Sequence, residues 1–299
     1  ISFYQDYKFE EDTRFTNIEK MYNLGIDQYQ TQTRQLKNSK KIAISFIGTG
    51  SYFNFFPKYY KTINQYFIPE CEKHFFVFTD GELNGEIPDN ITLIPSQENF
   101  VPKNSDYSSD NWHNLMYNSI GGLGRFKTLK KIKKNISKFN WYVFIDADYY
   151  CCSKNINYDE FFNDEKPLFG VQHPTFCDQW SKFAGGDLPF ERNKRSLACI
   201  TKNEEKDNVY LQGCLWGGKP SRVLDLIDDI DKRIYEDTSN KIISRAHDES
   251  HLNRYRYDFI DDFHILEPCF AASGYYPRNE FSFEPRMVHS PEDKHETLK

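Results

Sequence analysis

Residues 141–150 read WYVFIDADYY. The apolar run from Trp141 to Ile145 passes without interruption into Asp146-Ala147-Asp148. An apolar run of this length, bounded by polar segments, predicts a strand buried on both faces, which only a sheet covered by helices on both sides can supply. Successive side chains on a strand alternate, so Asp146 and Asp148 are expected on the same side. They stand where the run ends, the usual place for ligand groups in an open α/β sheet. Two carboxylates on one side repel each other, and a hard divalent cation that itself carries a phosphate would balance them. A solvated acidic turn is the plainer alternative, and the motif by itself leaves both open.

The flanking segments supply such a sheet. KIAISF at Lys41 to Phe46 predicts a strand running into the Gly-rich turn Gly48-Thr49-Gly50-Ser51 and then a helical stretch, residues 52–70. Strand, Gly turn and helix open many nucleotide-binding α/β units, although GTGS is shorter than a Walker loop or GxGxxG. His74 to Thr79 and Ile91 to Pro95 predict two more strands, and residues 96–120 a loop. From Leu123 to Ile136, apolar Leu123, Phe126, Leu129, Ile132 and Ile136 fall at helical spacing opposite a basic face. Strands alternating with helices predict a largely parallel sheet. Downstream come a strand at Pro167 to His173, an irregular charged stretch at 176–207, and an apolar Gly-punctuated segment at Val209 to Gly218. Helices are expected at Ser221 to Tyr235 and Ala246 to Tyr257, and a polar tail from Pro277. Residues 1–40 read as an N-terminal arm with a helix. Residues 41–299 read as one continuous domain, its half at 41–150 handling nucleotide and its half at 151–299 handling the second substrate.

Composition narrows the partners. A net charge of −6 argues against a nucleic-acid surface. The seven cysteines are odd in number and show no CxxC spacing, so neither a zinc site nor a disulfide framework is implied. No apolar run approaches the roughly 18 residues of a membrane span. In a bacterial or viral setting the chain is expected in the cytoplasm. Because it begins at Ile1 rather than Met, a Golgi-type anchor trimmed from the same chain is the other expectation. Aromatics at 17% suit stacking on sugars, although most belong in a core.

The densest polar cluster is His247-Asp248-Glu249-Ser250-His251. It is not HExxH, so a metalloprotease is excluded. A helix N-terminus capped by Asp248 or Ser250 accounts for part of the cluster but not for all five residues. Taken with FIDAD at 144–148, LFGVQHP at 168–174, FER at 190–192 and YLQGCLWGG at 210–218, the cluster HDESHLN at 247–253 resembles glycosyltransferase family six. FIGTGSY at 46–52 and FFVFTD at 75–80 are similar to that family's nucleotide-binding start, and the resemblance runs from Lys41 to Pro277.

The resemblance implies a GT-A type, Rossmann-like α/β fold. It also implies retaining transfer of GalNAc or Gal from a UDP-sugar to the 3-OH of a galactose-terminated, in some members fucosylated, acceptor, forming an α1,3 linkage. On this mapping Asp146 and Asp148 hold Mn²⁺, or Mg²⁺, against the diphosphate, with Ala147 between them in the donor site. Some bacterial members carry Asn-x-Asn there; this chain keeps both Asp. Phe46, Ile47, Gly48 and Tyr52 would bracket uridine, and Arg125 would contact the donor unless it is a surface Arg beside Lys127, Lys130 and Lys131. Asp248 would bind donor hydroxyls, and Glu249 would be the catalytic carboxylate, also touching the acceptor. His173, Thr175 and Trp180 would line the acceptor side, while Trp216 reads as core. Leu211-Gln212-Gly213 occupies the donor-selecting stretch: Gly213 leaves room for an N-acetyl group, and Gln212 departs from the family's small residue. UDP-GalNAc is therefore the expected donor, with UDP-Gal the alternative.

Two rivals stand beside this reading. A haloacid-dehalogenase-type phosphatase also places Asp-x-Asp after an apolar strand, and Asp228-Asp229 or Asp261-Asp262 could mimic its second motif. A transferase fold that binds sugar without turnover is the other.

Overall fold

The computed structural model describes residues 40–83, 86–96, 121–153, 156–177, 187–207, 209–274 and 281–289. The expected N-terminal arm, most of the 96–120 loop, Trp180 and the start of the tail at Pro277 lie outside them. Ten strands, β1 to β10, are described in chain order. The first seven are Lys41–Ile47, Glu72–Thr79, Ile91–Pro95, Trp141–Ile145, Tyr149–Cys151, Leu168–Gln172 and Leu211–Gly218. The last three are Phe263–Leu266, Ala272–Ser273 and Met287–His289. Seven of them form the main sheet in the order β3-β2-β1-β4-β7-β6-β8; a second sheet runs β5-β10-β9. In the main sheet β3, β2, β1 and β4 are parallel, β7 is antiparallel to both its neighbours, and β6 and β8 are again parallel. The largely parallel α/β sheet is thus as expected, with one strand reversed.

Strand β4 is the centre of that sheet, and all five of its residues are buried. Trp141, Val143 and Ile145 join one apolar cluster, with Ile42, Ile44 and Phe46 of β1. Tyr142 and Phe144 join the other, with Ala43. This is the two-residue alternation of a strand covered on both sides. The first face is covered by α1 (Phe56–Tyr66) through Tyr59, Tyr60 and Ile63. The second is covered by the 125–136 segment and by α4 (Pro220–Ser239), defined below. Each fully buried large side chain here contributes about 1.5–3 kcal/mol.

The expected helix at 123–136 is built as α2 (Arg125–Leu129), a 3₁₀ turn at Lys130–Ile132 and α3 (Lys133–Ile136). Its apolar residues all remain buried. Phe126, Leu129 and Ile132 recur every third residue, a spacing that a 3₁₀ turn keeps on one face. On α4 the predicted face of Val223, Leu226, Ile227, Ile230 and Ile234 is buried. Asp228 pairs with Lys130 and Lys133, and Asp229 with Arg233 at 2.6 Å. These acids are spent on helix-surface ion pairs, which removes the support for a phosphatase motif at that place. Helix α5 (His247–Asp258) carries the polar cluster. Trp216 is core, stacked between Phe126 and Phe144 at 5.2 and 5.3 Å. Among the described residues, which include all seven cysteines, no disulfide is formed. Among the described residues no helix is long and apolar enough to cross a membrane.

One local expectation is corrected. Strand β4 ends at Ile145, and Asp146-Ala147-Asp148 is a turn, closed by Tyr149 N–H donating to the Asp146 carbonyl at 3.1 Å. Strand alternation therefore does not place the two carboxylates. The chain turns because Asp146 N–H bonds the Cys214 carbonyl of β7 at 2.9 Å, and β5 then leaves to pair with β10.

Candidate active site

The site gathers at the C-terminal ends of β1 and β4. After β1, Gly48 N–H bonds the Phe78 carbonyl at 3.0 Å. A Cβ on Gly48 would meet the Phe46 ring at 2.5 Å, so only glycine fits this turn. Here too the structure corrects an expectation. The Phe46 ring is fully buried against Phe56 and Tyr59, so it packs beneath the turn rather than stacking on a base. Ile47 is also buried, whereas Tyr52 stays half-buried.

Arg125 opens α2 and is only 5% exposed, which settles it as an interior residue rather than a surface one. Its Nη2 lies 2.8 Å from Asp146 Oδ1, and its Nη1 lies 3.0 Å from Asp248 Oδ2. Nη1 also donates to the Gly213 carbonyl at 2.7 Å, and Nε donates to the Gly121 carbonyl at 2.9 Å. Burial opposes its charge, but the surrounding Asp146, Asp248 and Glu249 carboxylates keep it protonated. One guanidinium thus ties the DAD turn to the HDESH helix and to β7.

The second half of the site follows from a break in β7. Its register against β6 jumps from Gly170↔Trp216 to Val171↔Gln212, so Gly213 to Leu215 stand away from β6. Gly213 is left free to donate its N–H to Glu249 Oε2 at 2.7 Å. A Cβ at Gly213 would stand 3.4 Å from both Arg125 Nη1 and Glu249 Cβ. Gln212 Nε2 donates to the Tyr149 hydroxyl at 3.1 Å. Leu211, expected to touch the donor, is fully buried in the core cluster instead, its side chain lying over Gly170. What it brings to the site is its backbone, held by Asn253 through a reciprocal pair of bonds, 2.8 and 2.9 Å.

In the HDESH cluster each residue has its own task. His247 has φ +50°, a left-handed conformation that costs a residue with a Cβ about 1–2 kcal/mol. The N-cap position is Ala246, which has no side-chain cap, so neither Asp248 nor Ser250 caps the helix as expected; Ser250 Oγ, inside the first turns, instead accepts from Ala246 N–H at 2.9 Å. Asp248 is buried, which pushes its carboxyl up against the opposing pull of Arg125. Glu249 retains part of its surface, yet the surrounding protein desolvates it, and burial pushes its pKa to about 7. The Gly213 N–H works against that rise. The Tyr210 hydroxyl also comes close enough to favour the carboxylate, although it is buried without an aligned hydrogen-bond partner. His251 is buried, and burial lowers its pKa to about 3, so it is a neutral packing residue beside Asp237.

His173 is half-buried, with its ring against Phe176 and Tyr210. Burial lowers its pKa to about 3, and its Nδ1 accepts from Thr175 N–H at 3.1 Å. The neutral ring therefore carries its hydrogen on Nε2, a donor suited to a sugar hydroxyl. Thr175 holds it through the backbone.

Asp146 and Asp148 fit a divalent cation by the chemistry of their donors: carboxylate oxygens suit Mn²⁺ and Mg²⁺. Asp148 is buried, and its Oδ2 lies 3.0 Å from His289 Nε2 of β10, 141 positions later in the chain. Among the described residues no group of three or more His, Cys, Asp or Glu could hold a metal.

Sequence reasoning missed Tyr210, Asn253 and His289. Asn253 stands one helical turn after Glu249, and that spacing could have flagged it. Its Nδ2 also bonds the Glu249 carbonyl at 2.9 Å. Nothing in the tail pointed to His289.

Comparison with known proteins gives a consistent answer. The model of glycosyltransferase family 6 matches residues 22–272. Over 217 residues the chain is 30% identical to the O-antigen biosynthesis glycosyltransferase WbnI of Escherichia coli, covering 72% of this chain and 82% of that protein. It is 26% identical to the globoside alpha-1,3-N-acetylgalactosaminyltransferase 1 of Mus musculus, covering 72% of this chain and 56% of that one. It is 24% identical over 220 residues to the histo-blood group ABO system transferase 1 of Rattus norvegicus, with the same two coverages, 72% and 56%. The chain thus spans little more than half the length of these two mammalian relatives.

Proposed function

The chain belongs to glycosyltransferase family 6, and from that premise we propose that it is a retaining hexosyltransferase. It moves GalNAc from UDP-GalNAc to the 3-OH of a galactose-terminated glycan, forming an α1,3 linkage with a divalent metal, Mn²⁺ or Mg²⁺, bound. The observation that carries this reading is the convergence on Arg125 of two motifs a hundred residues apart. Its guanidinium pairs with Asp146 of the DAD turn and Asp248 of the HDESH helix, while Glu249 is held beside it on Gly213.

Asp146 and Asp148 would hold the metal, which when bound neutralises the charge that builds on the leaving diphosphate. The base of the donor lies against the Gly48 turn and Tyr52. Arg125 sets the orientation of Asp146 and neutralises Asp248, leaving Asp248 able to accept from donor hydroxyls. In the reaction the bond from the sugar C1 to the diphosphate oxygen breaks. The acceptor 3-hydroxyl oxygen bonds to C1 on the same face, and its proton leaves with the diphosphate. Retention requires either a covalent sugar–carboxylate ester on Glu249 or a same-face path in which Glu249 stabilises the positive sugar ring. Both need it ionised. His173 Nε2–H and the Tyr210 hydroxyl, adjacent to Glu249, are suited to the hydroxyls of the acceptor.

The choice of GalNAc over Gal rests on the space above Gly213, bounded by Arg125 and Glu249, which a methyl group would fill. Mass-spectrometric screening of UDP-GalNAc and UDP-Gal against plain and fucosylated galactosides tests the proposal. A new hexosyl product of the acceptor is the expected result. Donor binding without transfer or hydrolysis in the presence of Mn²⁺ would instead make the chain a sugar-binding relative.

A further inference from the structure

The FER stretch was noted in the sequence without a task. In the structure Glu191 is 7% exposed, and its carboxylate accepts two backbone N–H groups. Oε1 takes Asn193 N–H at 2.6 Å and Oε2 takes Arg245 N–H at 2.5 Å. Arg245 itself is exposed, so at that position the fold uses the backbone rather than the side chain. The amide that Glu191 holds belongs to the turn Ser244 to His247, from which Asp248 and Glu249 enter the site. That turn contains the left-handed His247, and bonds within it close it in part. Ser244 Oγ donates to the His247 carbonyl at 2.7 Å, and His247 N–H donates to the Ser244 carbonyl at 3.0 Å. A left-handed residue with a Cβ persists only where its surroundings over-determine it.

Further along, the same loop is strapped to the end of α4 and to α5. Ser196 Oγ and Leu197 N–H both donate to the buried Asp237, at 2.6 and 2.9 Å, with the His251 ring beside it. Arg254 then donates to the Cys199 carbonyl at 2.8 Å. The 190–199 loop therefore braces the entry to the helix that carries Glu249, the end of α4 beside it and the later turns of that helix, and Glu191 is the link at the entry.

We propose that Glu191 is a positioning residue for sugar transfer: by holding the Arg245 N–H it fixes the strained turn that aims Asp248 and Glu249 into the site. The role rests on the transferase reading of Glu249. Glu191→Gln preserves size but turns an amide NH₂ toward one of the two N–H groups, and Glu191→Asp keeps the charge on a shorter arm. For Glu191→Gln, kcat should fall about 10- to 100-fold, the scale of a small misplacement of a reacting group. UDP affinity measured by calorimetry should stay within about twofold, because binding and turnover separate when only positioning is lost. Amide hydrogen exchange across residues 244–250 should quicken, and Glu191→Asp should recover part of kcat. A kcat within twofold of wild type, unchanged exchange at 244–250, or a loss of activity matched by loss of folded protein would overturn the proposal. If the wild-type chain turned over no UDP-sugar, the transferase reading would fall. The exchange comparison would then decide separately whether Glu191 holds the turn.

Discussion

The Gly213 amide donates to Glu249 Oε2 across 2.7 Å, joining β7 to the carboxylate of the HDESH helix. That contact is made inside desolvating surroundings, and burial outweighs it: the Glu249 pKa rises to about 7. Since the reaction needs the carboxylate, kcat/KM should increase with pH through about 7, read from a pH profile with UDP-GalNAc. Glu249→Gln should keep UDP-sugar binding and abolish transfer; near-wild-type turnover would refute the assignment.

The same shift has a consequence for stability. The folded-state value lies above the ordinary 4.5, so the contribution is fully present below 4.5 and is lost as pH rises through about 7. Glu249→Gln should therefore lose less stability than wild type between acidic and mildly alkaline pH, as measured by urea midpoints at the two ends.

Arg125 is buried between Asp146 and Asp248. Arg125→Ala leaves both carboxylates without their cation, and breaking a buried pair costs about 3–5 kcal/mol. Lysine cannot reproduce the fork that reaches Asp146, Asp248 and the Gly213 carbonyl together, so Arg125→Lys should recover only part of the loss in denaturant titrations.

Gly213→Ala adds a methyl group 3.4 Å from Arg125 Nη1 and from Glu249 Cβ, an ordinary contact that the fold tolerates. On the proposed reading it takes up room that the acetamido group of the donor would use. The ratio of kcat/KM for UDP-GalNAc to that for UDP-Gal should fall by about 10-fold or more, the scale of a small group in a pocket. An unchanged ratio in competition assays would show that donor choice lies elsewhere.

Chelation should stop the enzyme and Mn²⁺ should restore it; full activity in EDTA would remove the metal role of Asp146 and Asp148. His289 orients Asp148 from β10. Loss of such an outer partner weakens metal binding about 10- to 100-fold, so His289→Ala should weaken Mn²⁺·UDP binding by that factor in calorimetry. His289→Gln, which keeps a donor, should recover much of it.

The residues that were legible and those that were not differ in how their partners are spaced. β4, β1 and the apolar faces of α2 to α4 were readable because a strand or helix repeats within a few residues, and burial follows that repeat. The DAD turn, the HDESH cluster and the Gly turn were readable as motifs, because residue type at short spacing carries chemistry. Their partners were not readable. Whether Arg125 was a surface or a site residue depended on Asp146 and Asp248, residues on other elements. Phe46 and Leu211 were assigned to the donor from their neighbours in the chain, but the pleat turns both side chains into the core. Glu191 and His289 act through bonds spanning 54 and 141 positions. The sequence by itself determined β1 to β4 and β6 of the main sheet and which residue types line its end, while β8 and the second sheet, too short to show a repeat, were not legible in it. Only the tertiary structure decided which carboxylate faces which cation, because those pairings are made between elements, where local periodicity ends.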